Sequence, residues 1–401
     1  MKVVFVGNVV PEKIFSKVSS VSPSTNNVEL SYIRMLKEKY EKNLHVITQH
    51  LGTAKLMNNN ERKVPEMVFH TEDGIEIQTV SFNNNRFLLN ISAVFSLTRK
   101  LKKLRSDYKK EKFVFVVNNH FYGWALPVFL AKRNHDIVIS ILNEAFDVKY
   151  LREHKIGPKD LFQNFIHKYL LRHNDGVITF NEATVLKYAP MVPYISLLHS
   201  CDERLFDNIV RASEDKQYQI LYAGSLSSCY GIDNLVKAMD YLPDSYKLII
   251  CGGGDTNTEA SIQTASNLNK RIEFLGMIPR HEVLKLERSS NVLVIIRVAK
   301  TLSEKYLADY CQPSKLAEYM LSGTPIIATD ILGIPKEIKP YLNFTEAAPD
   351  NIAESIMDVC NNNQRYFLEK AEAAVLYARE NCTYKKQKEL ICGFIDSFIG
   401  E

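Results

Sequence analysis

The chain alternates short runs of β-branched and other apolar residues with longer amphipathic stretches, and this alternation limits its possible folds more than any other feature. Such an alternation is typical of strands that pair in parallel through crossover helices. In the first half we predict strands near 2–7, 44–48, 75–80, 113–118, 136–142, 176–180 and 194–198, and helices near 27–40, 87–110, 122–133, 160–173 and 182–189. We therefore predict an α/β protein built from doubly wound, Rossmann-like sheets.

A polar stretch of mixed charge, from His199 to Gln217, interrupts the alternation, which resumes at Tyr218. The second series has strands near 219–222, 246–250, 272–275, 291–296 and 325–328, and helices near 231–241, 256–268, 280–288, 313–322 and 349–361, with only helices after that. A chain of 401 residues is long enough for about two or three domains. We interpret the polar stretch as a linker between two domains.

Composition excludes several classes of protein. The hydrophobic content of 46% and the charged content of 24% are ordinary for a folded soluble protein. The longest apolar run, Trp124 to Ala131, is too short to span a membrane, and the sequence opens on a strand-like run. We therefore expect neither a transmembrane segment nor a cleaved signal peptide. The seven cysteines form no C-x-x-C pair, which indicates a reducing cytoplasm and no disulfide framework.

Positive charge is concentrated in the first half of the chain. Residues 1–200 contain 28 Lys and Arg against 18 Asp and Glu, a formal charge of +10, although the whole chain carries only +4. Many of these charges lie on a predicted helix, 97–112, which also has apolar residues at Leu97, Leu101 and Leu104. A basic amphipathic helix is typical of contact with an anionic membrane surface, and a solvated helix face is the alternative. No stacking aromatics are interleaved with the charges, so we expect no nucleic-acid partner.

A long loop, residues 8–25, follows the first predicted strand and is rich in Ser, Pro and Asn. Loops at the carboxyl ends of strands are where open α/β sheets bind ligands, although a plain surface loop has the same composition. We predict that Asn26 caps the next helix and that Glu29 completes a capping box.

The segment 311–329 carries the clearest signal of a binding site. In it Pro313 is predicted to open a helix that runs into a buried strand. A helix N-terminus attracts anions, so Ser314 and Lys315 are candidates for binding a diphosphate. Glu318, one turn further on, is a candidate acceptor for hydrogen bonds from a ribose. A plain buried helix with a solvated Lys and Glu is the alternative.

Five motifs follow one another in the second half: Gly224-Ser-Leu, Tyr230-Gly-Ile-Asp-Asn-Leu-Val-Lys-Ala, Leu248-Ile-Ile-Cys-Gly-Gly-Gly-Asp, Arg271-Ile-Glu-Phe-Leu-Gly-Met-Ile-Pro, and Pro313 through Ile327. In this order they resemble the nucleotide-binding half of the family 4 retaining glycosyltransferases, among the glycosyl transferases of group 1. The first half resembles the family more weakly, through the Gly7-Asn8 turn, the Asn174-Asp-Gly-Val-Ile-Thr strand and the Leu198-His-Ser-Cys-Asp linker.

This resemblance implies the GT-B fold, in which two Rossmann-like domains face a central cleft. The first domain of such enzymes binds mainly the acceptor and the second mainly the nucleotide-sugar. The resemblance also implies that the last helix, near 383–399, crosses back to the first domain. We therefore predict an N-terminal acceptor-binding domain of residues 1–200 plus 383–401 and a C-terminal nucleotide-sugar domain of residues 201–382.

Three residues depart from the family pattern. Members usually carry Glu-x7-Glu, with one Glu near the donor sugar and the second on the ribose. Glu318 matches the second position, but Tyr310 occupies the first. An Arg and a Lys that usually grip the diphosphate are replaced by Ser225 and Tyr230. The resemblance therefore implies that these residues line the donor side without the usual charges.

Two phosphates still need compensating charge, because an isolated buried anion is very costly. We predict that Arg297, at the end of a strand, and Lys315 supply this charge and are catalytic. Gly254 lies in a glycine run that indicates a tight turn with close backbone approach. By resemblance, Met277 and Ile278 lie at the nucleobase, and an ordinary strand-to-helix turn is the alternative.

Three further candidates lie in the first half. His120 and Glu144 each follow a predicted strand and are candidates for hydrogen bonds to an acceptor or donor hydroxyl. Gly7, in the turn after the first strand, is a donor-side candidate by resemblance. A residue satisfied within the structure is the alternative for the histidine and the glutamate.

The sequence has no Asp-x-Asp pair of the kind that holds Mg²⁺ or Mn²⁺, so we expect metal-independent transfer without a cofactor. We predict a cytoplasmic enzyme, a candidate for peripheral association with the inner face of the plasma membrane. It would transfer a sugar, with retention, from a nucleotide-sugar, with UDP as the favoured base, to a hydroxyl of a glycan or lipid-linked acceptor in polysaccharide or glycoconjugate biosynthesis. The missing Glu, Arg and Lys leave a non-catalytic GT-B subunit as one alternative, and a nucleotide-sugar epimerase is the other.

Overall fold

The computed structural model describes residues 1–9, 23–49, 63–83, 85, 88–119, 122–143, 147, 156–202, 204–209, 217–362 and 364–400. These residues divide into two compact units. Those within Met1–Lys149, His154–Leu197 and Lys388–Glu401 form the first unit, and those within Leu198–Gln387 form the second. The last helix therefore begins in the second unit, and its residues from Lys388 onward belong to the first.

The first unit contains an eight-stranded sheet of order β10-β9-β8-β7-β1-β2-β5-β4 and a small antiparallel pair, β3-β6. The large sheet is parallel except for β4, which runs antiparallel to β5. Its central strands are continuous apolar runs because helices cover both faces of a parallel sheet. The strands are β1 Lys2–Gly7, β2 Leu44–Thr48, β3 Lys63–Val64, β4 Val68–His70, β5 Glu76–Thr79, β6 Phe82–Asn83, β7 Phe113–Asn118, β8 Ile137–Leu142, β9 Gly176–Thr179 and β10 Tyr194–Ser196.

The helices of this unit connect successive strands, as crossover connections between parallel strands require. They are α1 Pro23–Tyr40, α2 Leu89–Asp107, α3 Tyr122–Ala131, α4 Pro158–Leu171 and α5 Glu182–Tyr188. None of the helices in the described part of the chain combines the length and the apolar character needed to span a bilayer.

The second unit contains a six-stranded parallel sheet of order β13-β12-β11-β14-β15-β16. Its strands are β11 Tyr218–Ala223, β12 Tyr246–Cys251, β13 Ile272–Gly276, β14 Val292–Ile295, β15 Ile326–Thr329 and β16 Asn343–Thr345. Its helices are α6 Ile232–Ala238, α7 Thr256–Leu268, α8 Arg280–Ser289, α9 Leu302–Tyr310, α10 Leu316–Ser322, α11 Pro349–Met357 and α12 Gln364–Asn381, and α13 Tyr384–Ser397 closes the chain. The strand order reverses between β11 and β14, which is where open α/β sheets bind ligands.

Two predictions about helix boundaries are wrong. The first helix begins at Pro23, so Asn26 lies inside it and does not cap it. Glu29 makes no capping box, and its Oε2 accepts a hydrogen bond from the backbone N–H of Asn8 at 2.9 Å. The helix predicted to open at Pro313 begins at Leu316 and has seven residues. A helix this short has a weak dipole, so its N-terminus contributes little positive charge. The positive charge at this site must therefore come from side chains.

Candidate functional site

A pocket opens at the strand-order reversal of the second unit, beyond the carboxyl ends of β11 and β14. These two strands are adjacent, with Leu221 paired to Leu293. Backbone and side chains from three segments therefore meet there. The pocket is lined by Tyr222, Ala223, Gly224, Ser225, Tyr230, Val294, Ile295, Arg297, Pro313, Ser314, Lys315 and Tyr319.

Glycines allow the loops beside this pocket to approach one another. Gly252 has φ +136°, and a Cβ placed on it would lie 1.8 Å from the carbonyl oxygen of Gly224. A Cβ on Gly254 would lie 1.8 Å from the carbonyl oxygen of Leu226. The tight turn with close backbone approach predicted for this glycine run is therefore confirmed, and it fixes the turn after β11.

Tyr319 fastens α10 to the end of β11. Its hydroxyl accepts a hydrogen bond from the backbone N–H of Ala223 at 3.0 Å and donates one to the carbonyl oxygen of the same residue at 3.1 Å. The side chain is 1% exposed, so both bonds are buried. The residues just before α10, Pro313, Ser314 and Lys315, line the pocket, and this contact holds the start of the helix beside them.

Tyr319→Phe is expected to lower the free energy of unfolding by about 1–3 kcal/mol, because it leaves a buried N–H and a buried carbonyl of Ala223 without their partner. Urea unfolding followed by circular dichroism measures this loss. The matched control is Tyr241→Phe, because Tyr241 is 59% exposed and should change stability by less than about 0.5 kcal/mol. Equal losses of stability in Tyr319→Phe and Tyr241→Phe would contradict the role of the Tyr319 hydroxyl in fastening α10 to β11.

The Arg297 guanidinium lies over the ring of Tyr230, with its carbon 4.1 Å from the ring centroid. The Arg297 backbone N–H donates to Thr329 Oγ1 at 2.9 Å, which fixes the chain where it leaves β14. A cation held over an aromatic face keeps its charge and some of its donors available. One departure from the family pattern, Tyr230, thus contacts the arginine predicted to supply the missing charge.

Lys315 is held by two carboxylates. Its Nζ donates to Glu287 Oε1 at 3.1 Å and also hydrogen-bonds Glu318 Oε1. The second oxygen of Glu318 accepts a hydrogen bond from an Arg280 guanidinium N–H at 2.9 Å. The Glu287 side chain is fully buried, and that of Glu318 is 9% exposed. We call Arg280, Glu287, Lys315 and Glu318 the charge cluster.

The pKa values of the cluster reflect a cation between two buried acids. Burial, followed by the charge of Glu318, raises the pKa of Glu287 from 4.5 to about 8. Burial also acts to raise the pKa of Glu318, but the charge and hydrogen bond of Lys315 outweigh it and lower that pKa. For Lys315, burial acts to lower the pKa, and the two carboxylates together raise it. Lys315 therefore stays charged, and of the two carboxyl groups beside it Glu318 is the ionised one.

The raised pKa of Glu287 predicts a pH dependence of stability. The folded state holds this proton more tightly than the unfolded state, so the contribution is complete below pH 4.5 and is lost as the pH rises to about 8. Glu287→Gln stays neutral, so its stability relative to the unaltered chain should rise between pH 5 and pH 8, by up to about 1.4 kcal/mol per pH unit. Urea unfolding at several pH values measures the difference. Glu273→Gln, at a partly exposed ion pair with Lys247, is the control and should show no such rise.

Five predicted site residues share the pocket, and a sixth, Glu318, lies directly beside it through Lys315. The five are Ser225, Tyr230, Arg297, Ser314 and Lys315. Sequence reasoning missed Arg280 and Glu287, which complete the charge cluster. Their signal was weak, because both lie on a charged amphipathic helix where Glu and Arg are usually solvated.

Other predicted donor-side residues do not line the pocket. Tyr310 ends α9 with its ring 4.7 Å from that of Tyr306. Gly254 donates its backbone N–H to Glu259 Oε1 at 2.8 Å, and Met277 is 81% exposed. Ile278 packs against the core on the α10 side of the second sheet.

In the first unit, polar residues gather at the carboxyl ends of β1, β7 and β8. Gly7 passes so close to Glu29 that a Cβ on it would lie 2.6 Å from Oε2. Burial raises the pKa of Glu29 to about 7, although the hydrogen bond from Asn8 opposes this rise. Asn143 donates to Asn118 Oδ1 at 3.1 Å. Glu29, Asn118 and Asn143 are therefore a candidate polar site of this unit.

Two predicted site residues, His120 and Glu144, lie outside the described residues, as does most of the loop predicted at 8–25. Within the described part of the chain, no group of three His, Cys, Asp or Glu side chains could hold a metal ion. Metal independence stays a prediction.

Two Rossmann-like units, each built on a largely parallel sheet, define the GT-B fold, which the solved structures of similar fold share. Residues 206–381 match the family described as glycosyl transferases group 1, which confirms the resemblance over this part of the chain. No curated protein matches the chain by sequence.

Solved structures of similar fold extend over the whole chain. Sucrose-phosphate synthase from Thermosynechococcus elongatus has a TM-score of 0.69 at 15% identity and covers 100% of this chain and 99% of its own. Anabaena HepE in complex with UDP has a TM-score of 0.68 at 14% identity, with 99% and 100% covered. A UDP-forming α,α-trehalose-phosphate synthase from Burkholderia xenovorans has a TM-score of 0.67 at 10% identity, with both chains covered completely. At these identities the likeness concerns the fold.

Proposed function

We propose that this glycosyltransferase transfers a sugar, with retention and without a metal ion, from a UDP-sugar to a hydroxyl of a glycan or lipid-linked acceptor. The observation that carries the proposal is the placement of Arg297 and Lys315 in one pocket at the strand-order reversal, with Glu318 beside them. UDP is favoured as the base because HepE, of similar fold, is described in complex with UDP and with UDP-glucose.

The charges assign roles to the pocket residues. Arg297 and Lys315 neutralise the diphosphate, and they stabilise the charge that grows on the departing phosphate. A diphosphate competes with Glu287 and Glu318 for Lys315, and Arg280 remains paired with Glu318 when Lys315 turns to the phosphate. The Glu318 oxygens then have lone pairs for the ribose hydroxyls. In a front-face reaction, the departing phosphate oxygen takes the proton of the attacking hydroxyl, and the new bond forms on the face the phosphate leaves.

The acceptor is proposed to bind the first unit at Glu29, Asn118 and Asn143, with His120 and Glu144 as further candidates. With such an acceptor, the proposed product belongs to polysaccharide or glycoconjugate biosynthesis. The proposed location of the enzyme is the cytoplasm.

The exposed basic face of α2 is proposed to bring the chain to the inner face of the membrane. The apolar contact predicted for this helix is wrong, because Leu97 and Leu101 are fully buried in the core of the first unit.

The test is a UDP-release assay of the purified chain with UDP-glucose and other UDP-sugars, with and without EDTA. Turnover that EDTA leaves unchanged and that Lys315→Ala abolishes supports the proposal, and NMR of the product anomeric proton tests retention. Turnover that stops with EDTA contradicts metal independence.

The replacement of the family Glu and Arg by Tyr310 and Ser225 favours one rival, a non-catalytic subunit. Binding of UDP-sugar without transfer to any acceptor would support that rival. An epimerase would convert the sugar with no acceptor present, which the same NMR measurement detects.

A further inference from the structure

Glu287, in the charge cluster, is a buried carboxyl group with few hydrogen-bond donors around it. Its side chain is fully buried, and Oε1 accepts a hydrogen bond from Lys315 Nζ at 3.1 Å. Oε2 is also buried and has no hydrogen-bond partner among the residues that the structure describes. An ionised carboxylate can accept about four hydrogen bonds, and it is costly to bury without them. A negative charge on Glu287 therefore depends on Lys315.

Two other titratable groups near Glu287 are neutral. Cys251 ends β12, and burial raises the pKa of its thiol to about 11. Tyr319 lies on α10, and burial raises the pKa of its hydroxyl well above the usual range. Neither group carries a charge at neutral or mildly alkaline pH. Neither can therefore take the place of the Lys315 ammonium beside Glu287.

Two arginines lie on the same helix as Glu287, and each hydrogen-bonds another group. A guanidinium N–H of Arg280 donates to Glu318 Oε2 at 2.9 Å. A guanidinium N–H of Arg288 donates to the carbonyl oxygen of Ser322. After burial, the charge of Glu318 does most to raise the pKa of Glu287, and the charge of Lys315 opposes this rise. The balance between one neighbouring anion and one neighbouring cation thus decides whether Glu287 is ionised.

Lys315 can leave this balance, but Glu287 cannot. The ammonium hydrogen-bonds Glu287 and Glu318, yet Lys315 also lines the pocket together with Arg297. The Lys315 side chain is 33% exposed, whereas that of Glu287 is fully buried. When the ammonium turns to a diphosphate in the pocket, Glu287 stays buried beside Glu318 and loses its cation. A second negative charge there is then strongly unfavourable.

We propose that Glu287 takes up a proton when a nucleotide-sugar binds, and that it is a positioning residue for the donor. Neutral Glu287 releases Lys315 to the phosphates and leaves Glu318 as the single anion beside the ribose. The proton comes from the solvent, forms an O–H bond on the carboxylate, and returns to the solvent when UDP leaves and Lys315 moves back. The role of Glu287 rests on the proposed function, since it requires that the pocket binds a UDP-sugar.

The pH range of this proton uptake follows from the free chain. Burial, followed by the charge of Glu318, raises the pKa of Glu287 to about 8 while Lys315 is still beside it. Loss of Lys315 to the diphosphate removes the opposing charge, so the pKa rises further in the complex. Well below pH 8 Glu287 is protonated in both states, and binding takes up no proton there. Above pH 8 it is ionised in the free chain alone, so binding takes up a proton and the affinity falls as the pH rises.

The test is isothermal titration calorimetry with UDP-glucose in buffers of different ionisation enthalpy, which counts the protons taken up at each pH. UDP-glucose is the probe because both of its phosphates are esterified and stay ionised throughout. We expect about half a proton per molecule bound at pH 8 and roughly none at pH 6. Glu287→Gln keeps an oxygen for Lys315 but cannot titrate. Relative to this variant, the affinity of the unaltered chain should fall about tenfold between pH 7 and pH 9.

Glu282→Gln is the matched control, because Glu282 lies on the same helix with its side chain 50% exposed. It should take up protons as the unaltered chain does. Any proton that binds to the uracil ring is the same for all three chains and cancels in the difference between them. Circular dichroism confirms that each chain is folded at every pH.

Two results separate the role of Glu287 from the donor site itself. If UDP-glucose binds and Glu287→Gln takes up as many protons as the unaltered chain, the role of Glu287 is overturned and the donor pocket stands. If UDP-glucose binds to none of the three chains at any pH, the donor pocket is wrong, and the role of Glu287 is overturned with it.

Discussion

Arg297→Ala should weaken binding of UDP-glucose roughly 30- to 100-fold, as measured by isothermal titration calorimetry. The guanidinium lies over Tyr230 in the pocket, and loss of the charge-assisted hydrogen bonds that we propose it makes to a diphosphate corresponds to about 2–3 kcal/mol. Arg297→Lys should recover only part of the affinity, because an ammonium group lacks the planar, bidentate donor set. Stability should change little, since the arginine is partly exposed.

Arg365→Ala is the matched control for this measurement. It removes the same charge from α12, where the side chain is 93% exposed and pairs with Glu369 at the surface. We expect unchanged affinity. If the two variants lose affinity equally, the effect is one of overall charge, and the assignment of Arg297 to the diphosphate is wrong. If neither variant loses affinity, the pocket is not the UDP site.

Gly252→Ala should lower the free energy of unfolding by more than about 3 kcal/mol, because the new Cβ would lie 1.8 Å from the carbonyl oxygen of Gly224 at a backbone φ of +136°. The turn after β11 has to move to relieve this overlap, so nucleotide binding should be lost together with stability. Thermal unfolding and titration of UDP on the same sample measure both effects.

Gly276→Ala provides the comparison within the same sheet. Gly276 also has a positive φ, +61°, but nothing lies within 4 Å of the position its Cβ would take. The expected loss is therefore only the cost of the left-handed backbone, about 1 kcal/mol. Similar losses of stability from Gly252→Ala and Gly276→Ala would mean that backbone strain determines both losses. The close approach of the turns after β11 and β12 would then play no part.

Most strands of both sheets could be predicted from the sequence because parallel strands are buried on both faces and appear as uninterrupted apolar runs. Phe113–Asn118, for example, is buried throughout and was predicted with the same bounds. Short edge pieces lack this signal. Val68–His70 is mostly exposed, and Asn343–Thr345 has three residues, so neither was predicted.

The candidate site was predictable only in part. Arg297 and Lys315 could be predicted as pocket residues from local sequence. Arg297 follows a buried strand, and Lys315 lies at the start of a buried helix in a recognisable motif. Glu287 lies on a different helix from Lys315, and only tertiary packing brings its carboxylate to 3.1 Å. A buried Glu next to a Lys cannot be told from a solvated one by local pattern alone.

The last helix also affects how the chain can fold during synthesis. Tyr40 donates a hydrogen bond to Asp396 at 2.9 Å, and Gly176 lies where a Cβ would meet the rings of Phe394 and Phe398. The first unit is therefore incomplete until α13 leaves the ribosome, after the second unit has been made. Domains usually fold in order as they emerge, but here the N-terminal one has to wait for residues 388–400, and a ribosome stalled before Lys388 would hold it unfinished.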